Sequence, residues 1–155
     1  MERAARELEA AVHSVPGASL AVRVGGRVAL EVAAGVAELG GEEVHPALPF
    51  DLASLTKPLA AGTVLGGWVD SGAAHLDDPV SRWVPEAHPE LTVAHLLGHT
   101  GGYPPWAPVH QPHAPRDTIV DRAIRSADAA PGGPPRYSDL GFLTLLRVIE
   151  RLGGA

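Results

Sequence analysis

The chain contains no cysteine. Disulfides, thiolate metal sites and cysteine nucleophiles are excluded together. Aromatic residues are sparse at 5%, and the three tryptophans, Trp68, Trp83 and Trp106, are scattered, as expected of side chains that pack the core or line a pocket. Charged residues make up 19%, with no cluster of Lys or Arg and a net charge of −6. No nucleic-acid partner is expected from such a surface. No apolar run approaches the roughly 20 residues of a membrane span. The charged opening "MERAARELEAAVHSVPG" also lacks the apolar stretch of a secretory signal. The expectation is a cytoplasmic protein without a membrane span.

Glycine and proline are abundant instead, 18 and 15 residues in a chain of 155 that is 45% apolar. That length fits one domain, residues 1–155, and the composition predicts many turns and helix ends rather than a disordered tail. Residues 2–12 repeat Ala, Leu and Val at helical spacing among Glu and Arg, up to Pro16-Gly17. In "ASLAVRVGGRVALEVAAG", two apolar, β-branched-rich runs flank Gly25-Gly26, a pair suited to a two-residue hairpin turn with positive φ.

Residues 37–50 read as a loop. A helix is expected from near Ser54 towards Trp68, with Pro58 tolerated in its first turn. "LDDPVSRWVPE" reads as an extended loop with a short turn. "LTVAHLLGHTGG" reads as a short helix entered through Thr92 and stopped by Gly101-Gly102. Residues 103–115 are irregular, 118–127 return to a helical pattern, "APGGPPRYS" breaks it, and 140–152 form a strongly apolar helix before Gly153-Gly154. The predicted class is α+β: a helix, a hairpin, then a mostly helical remainder. Because an isolated hairpin is marginal and its free edge adhesive, self-association through that edge is expected.

Ser54 stands three places before Lys57 in "DLASLTKPLA". On a helix that spacing puts both side chains on one face, with the serine hydroxyl near the positive end of the helix dipole. A lysine amine, with an ordinary pKa of about 10.4, acts as a base only where burial or a neighbouring cation lowers it. The plainer alternative makes Ser54 a helix cap and Lys57 a solvated side chain. Tyr137, in "RYSDLGF" between a Pro/Gly-rich break and a helix, carries a phenol able to share a proton with a serine and a leaving group. The alternative is an aromatic at the start of a buried helix, with Ser138 or Asp139 as the cap.

His95 and His99 have the four-residue spacing of a zinc pair but no glutamate between them and no evident third ligand. His110 and His113 lie in a proline-rich loop. No metal and no cofactor are expected. Asp77-Asp78-Pro79 reads as a turn former and local backbone acceptor, and Gly66-Gly67 lacks the lysine of a phosphate loop.

Taken in order, four stretches resemble the β-lactamase-related serine hydrolases, which include class C β-lactamases, D-alanyl-D-alanine peptidases and β-lactamase-like esterases. "PFDLASLTKPLAAGTVL" resembles the nucleophile helix, with Ser54 and Lys57 as its Ser-x-x-Lys pair. "LDDPVSRWVPEAHPELTVAHLLGHTGG" is similar to the Asp-Asp-Pro-Val turn and the Leu-Leu-x-His-Thr-x-Gly signature that follows it. "PGGPPRYSDLGFLTLLRVIERLGG" resembles the segment carrying Tyr-x-Asn, and the hairpin sits where the family has its first two strands.

The resemblance implies a β-lactamase/transpeptidase-like fold and an acyl-enzyme on Ser54. Lys57 and Tyr137 would move the proton, and the Ser54 N–H would form part of the oxyanion hole. Substrates would be small esters, amides or β-lactams. Asp139 stands at the third, substrate-binding position of Tyr-x-Asn, where its charge should favour protonated Lys57 and shift the base role to Tyr137. Gly98 and Gly101 replace residues that are often Thr and Ser in the signature; His99 and Thr100 read as loop braces. The Lys-Thr-Gly or His-Thr-Gly element has no match after Tyr137. The implied alternative to an active hydrolase is therefore a truncated, non-catalytic fragment or binding module of the same fold, lacking the C-terminal strands.

Overall fold

A computed structural model describes residues 1–38 and 41–154, in two compact units, Met1–Asp51 and Leu52–Ala155. In the first unit, helix α1 (Glu2–Ala11) precedes an antiparallel hairpin of β1 (Gly17–Val24) and β2 (Arg27–Gly35). Gly25 and Gly26 both have positive φ, 57° and 79°, the backbone a tight two-residue turn demands. A register shift between Val22 and Arg23 bends the ribbon. α1 lies against both strands and buries Leu8. Gly35 is required by close approach: at φ 85°, a Cβ there would stand 2.2 Å from the Pro16 carbonyl oxygen. Part of the expected loop after the hairpin, Leu39 and Gly40, lies outside the described residues. Among the described residues the sheet has two strands.

The second unit is helical. Its core gathers Leu65, Val80, Leu96, Val120 and Leu145 from successive elements. These are α2 (Thr63–Asp70), a 3-10 turn (Val80–Arg82), α3 (Val93–Leu97), α4 (Arg116–Ile124) and α5 (Asp139–Gly153). α5 is the centrepiece, packing on α3 and α4. Its buried positions, Leu140, Gly141, Thr144, Leu145 and Val148, recur every three to four residues and form one stripe. Ser138 caps its start, accepting from the Leu140 N–H at 3.2 Å, and Gly154 in the left-handed conformation ends it.

Several local expectations need correction. The helix after Asp51 is not uniform: a 3-10 turn (Ala53–Leu55) runs into a π-helical turn (Lys57–Gly62) and only then into α2. Pro58 explains the change, since its ring lacks an N–H and would clash with the Ser54 carbonyl in α geometry; a widened turn relieves both. α3 stops at Leu97, ahead of Gly101-Gly102, because Gly98 ends it and His99 turns to φ 56°. Trp68 and Trp83 pack against the core, but Trp106 is exposed. No helix among the described residues is long and apolar enough to cross a membrane.

Candidate active site

Three segments bring chemistry to one place. Ala53, at φ 44°, introduces the 3-10 turn that carries Ser54, a backbone state costing a non-glycine residue about 1 kcal/mol. The π-helical turn then presents Lys57 on the same side. Lys57 Nζ donates to Ser54 Oγ at 3.0 Å and lies 2.6 Å from Asp139 Oδ1, at the first residue of α5. The third neighbour is Tyr137, which stands beside Lys57 and Ser54 and interacts electrostatically with the ammonium. Nζ also sits 5.1 Å from the Tyr137 ring centroid and 5.6 Å from that of Phe142.

An ammonium has three N–H donors. Here Ser54 and Asp139 engage the ammonium directly, with the Tyr137 ring alongside. Burial lowers the Lys57 pKa, but the hydrogen bonds to Asp139 and Tyr137 and their negative charge outweigh it and raise it above its ordinary value. The hydrogen bonds of Tyr137 to Lys57 and Ser54, together with the nearby ammonium charge, hold its phenol below the ordinary value. The amine is thus held protonated, while the phenol oxygen beside it is biased towards the anion.

His99 fixes the segment that holds Tyr137. Its carbonyl accepts the Arg136 N–H at 2.8 Å and its Nδ1 accepts the Ser138 N–H at 3.2 Å, gripping the backbone on either side of the tyrosine. An Nδ1 that accepts puts the proton of the neutral ring on Nε2. Burial and the Lys57 charge lower the His99 pKa, in keeping with that neutral form. Ser138 adds a second anchor, donating to the Pro104 carbonyl at 2.6 Å. Arg136 is tied to the Gly102 carbonyl at 2.9 Å and ion-paired with Asp128.

Sequence reasoning singled out Ser54, Lys57, Tyr137 and Asp139, and the structure brings all four together. It read His99 as a loop brace; the structure adds direct ring contact with Tyr137 and with Phe142, a residue the sequence did not single out. His95 serves elsewhere: it completes a capping box with Thr92 at the start of α3, with Nδ1 accepting the Thr92 N–H at 3.2 Å. Two cavities meet at Ser54 and Lys57. One, of about 650 Å³, runs along Ala60, Val64, Phe142 and Leu146; the other, of about 360 Å³, lies beside His99 and Tyr137.

Comparison with known proteins places this arrangement in context. The chain is 46% identical over 65 residues to esterase EstB of Burkholderia gladioli, covering 37% of this chain and 16% of that protein. It is 32% identical over 117 residues to penicillin-binding protein 4* of Bacillus subtilis (strain 168), covering 68% of this chain and 25% of that protein. It thus spans a quarter or less of these curated relatives. Among solved structures, the D-amino acid amidase from Ochrobactrum anthropi SV3, complexed with L-phenylalanine, superposes with a TM-score of 0.81 at 26% identity, over 99% of this chain and 45% of that one. The fold is therefore of the β-lactamase/transpeptidase-like α+β type. Residues 2–155 match the family model described as Beta-lactamase, and the chain belongs to that family.

Proposed function

We propose that this chain carries the nucleophilic centre of a serine hydrolase acting on ester, amide or β-lactam carbonyls through an acyl-enzyme on Ser54. The Ser54 Oγ–carbon bond forms as the hydroxyl proton passes to the Tyr137 phenolate oxygen. That proton then moves to the departing alkoxide or amine as the carbonyl carbon's bond to it breaks, and water releases the acyl group by the reverse path. Lys57 stays an ammonium throughout, steadying the phenolate and the serine oxygen, while the Ser54 N–H donates to the oxyanion. The observation that carries this reading is the contact of Lys57 with Ser54 at 3.0 Å and with Asp139 at 2.6 Å beside the Tyr137 ring, which keeps the amine protonated and leaves the phenol as the base. The esterase and the amidase among the similar proteins support the ester and amide classes.

The test is covalent. Brief exposure to p-nitrophenyl acetate or a fluorophosphonate should add one acyl or phosphonyl group, located at Ser54 by peptide mass and absent in Ser54→Ala. An unmodified parent chain, or equal labelling of the variant, would overturn the reading and favour a non-catalytic member of the fold.

A further inference from the structure

Among the described residues lining the cavities at Ser54, the formal charges are few. The side chains lining the two cavities that meet there include one cation, Lys57, and one carboxylate, Asp139, and these are 2.6 Å apart. Lys57 is already engaged by Ser54 and ion-paired with Asp139, so its charge is neutralised within the protein before a substrate carboxylate arrives. Arg136, the cation nearest Asp139 in sequence, is occupied by Asp128 and the Gly102 carbonyl. Asp139 itself is largely exposed, with 72% of its side chain accessible, so its charge also faces an arriving substrate.

We propose that Asp139 acts as a charge filter, making the site selective for acyl groups without a carboxylate near the scissile carbonyl: uncharged aliphatic or aryl esters and amides. This rests on the acyl-transfer reading above. An anionic acyl group meets a neutralised lysine and an exposed like charge. Two like charges about 7 Å apart near a protein surface repel enough to cost roughly tenfold in rate. The walls fit the same class, since Ala60, Val64, Phe142 and Leu146 offer apolar contact and no ionic partner. An asparagine at 139 would keep the shape and remove the carboxylate charge, leaving Lys57 to balance the Tyr137 phenolate and sparing a substrate anion the like-charge repulsion.

The experiment compares two esters of similar size, p-nitrophenyl butyrate and mono-p-nitrophenyl succinate, each corrected for spontaneous hydrolysis. The rate of Ser54 acylation is followed by the nitrophenolate burst and by intact mass. In the parent chain the butyrate should acylate faster by about tenfold or more. Asp139→Asn should shrink that ratio by about tenfold, whatever it does to both rates, and Asp139→Glu should keep it. Raising the salt concentration should narrow the parent ratio and leave that of Asp139→Asn nearly unmoved. A purely structural role for Asp139 would slow both esters alike. If the parent and Asp139→Asn both acylate Ser54 with the same ratio, the charge filter is overturned while the acyl-transfer reading stands. If neither ester acylates Ser54 in the parent, both are overturned.

Discussion

The imidazole of His99 lies 4.5 Å from the phenol ring of Tyr137, centroid to centroid, and its residue grips the backbone on both sides of that tyrosine. His99 does this from a left-handed backbone, φ 56°, which asparagine tolerates better than alanine. His99→Asn should therefore fold nearly as well as the parent, yet lose the ring contact that orients the phenol. His99→Ala should lose about a further 1 kcal/mol of stability from the backbone term. In both, acylation of Ser54 should slow by about tenfold or more, because a misplaced base is costly. Melting curves and burst rates separate the two effects. An unchanged burst in His99→Asn would show that Tyr137 is held without the ring.

Ionisation gives a second test. With Tyr137 as base, acylation should rise with pH through a midpoint below the 10.0 of an ordinary phenol, then fall as Lys57 deprotonates above its ordinary 10.5. Asp139 raises both values through its negative charge, so Asp139→Asn should move both limbs to lower pH. The stability linkage has a definite sign. A raised Lys57 pKa stabilises the fold fully below 10.5 and loses that contribution as pH rises through the folded value. Tyr137→Phe should cost about 10²–10⁴-fold in acylation at every pH. A profile rising through neutral pH in Tyr137→Phe would instead return the base role to Lys57.

Features that depend on local chain chemistry were legible in the sequence. Gly25-Gly26 marked the hairpin, and Ser138 with Gly154 bracketed α5, because turns and caps are decided by a few adjacent residues. The Ser54–Lys57 spacing already put both side chains on one helical face, and the motif order pointed to Tyr137 and Asp139. What stayed hidden needs the folded chain. The grip of His99 on Ser138 joins residues 39 apart, and no local pattern announces it. The left-handed Ala53 and the π-helical turn after it are likewise invisible to propensity, since alanine and leucine favour an ordinary helix there. Trp106 shows the opposite error: a large aromatic is a core residue by type, yet the irregular proline-rich segment leaves it in solvent.

Beneath the site, Thr144 Oγ1 lies 3.0 Å from the Tyr103 hydroxyl and 3.2 Å from the Leu140 carbonyl, and both side chains are buried. Thr144 donates to the carbonyl and accepts from the phenol, so the two substitutions are not equivalent. Thr144→Val strands the Tyr103 hydroxyl and should cost about 1–3 kcal/mol. Tyr103→Phe leaves the threonine its carbonyl and should cost about 1 kcal/mol or less. Urea unfolding at constant m-value would rank them. A larger loss in Tyr103→Phe would reverse the assigned direction of that bond.

Two glycines should respond oppositely to the same added methyl. Gly102 sits at φ 80°, and a Cβ there would stand 2.0 Å from the Ala129 carbonyl oxygen. Its own carbonyl receives the Asp128 and Ala129 N–H groups at 3.0 and 3.2 Å and the Arg136 guanidinium, so the backbone has no room to retreat. Gly102→Ala should lose about 2–4 kcal/mol and, by shifting Arg136, disturb its neighbour Tyr137 and slow the burst. Gly66, exposed within α2, has nothing within 4 Å of an added Cβ. Gly66→Ala should gain about 0.5–1 kcal/mol through helix propensity and leave acylation unchanged. In a chain of this size each kcal/mol moves the melting temperature by about 2–4 °C, so the pair should diverge by more than about 5 °C. A Gly102→Ala chain melting with the parent would contradict the close approach at Ala129 and remove the reason this position excludes a side chain.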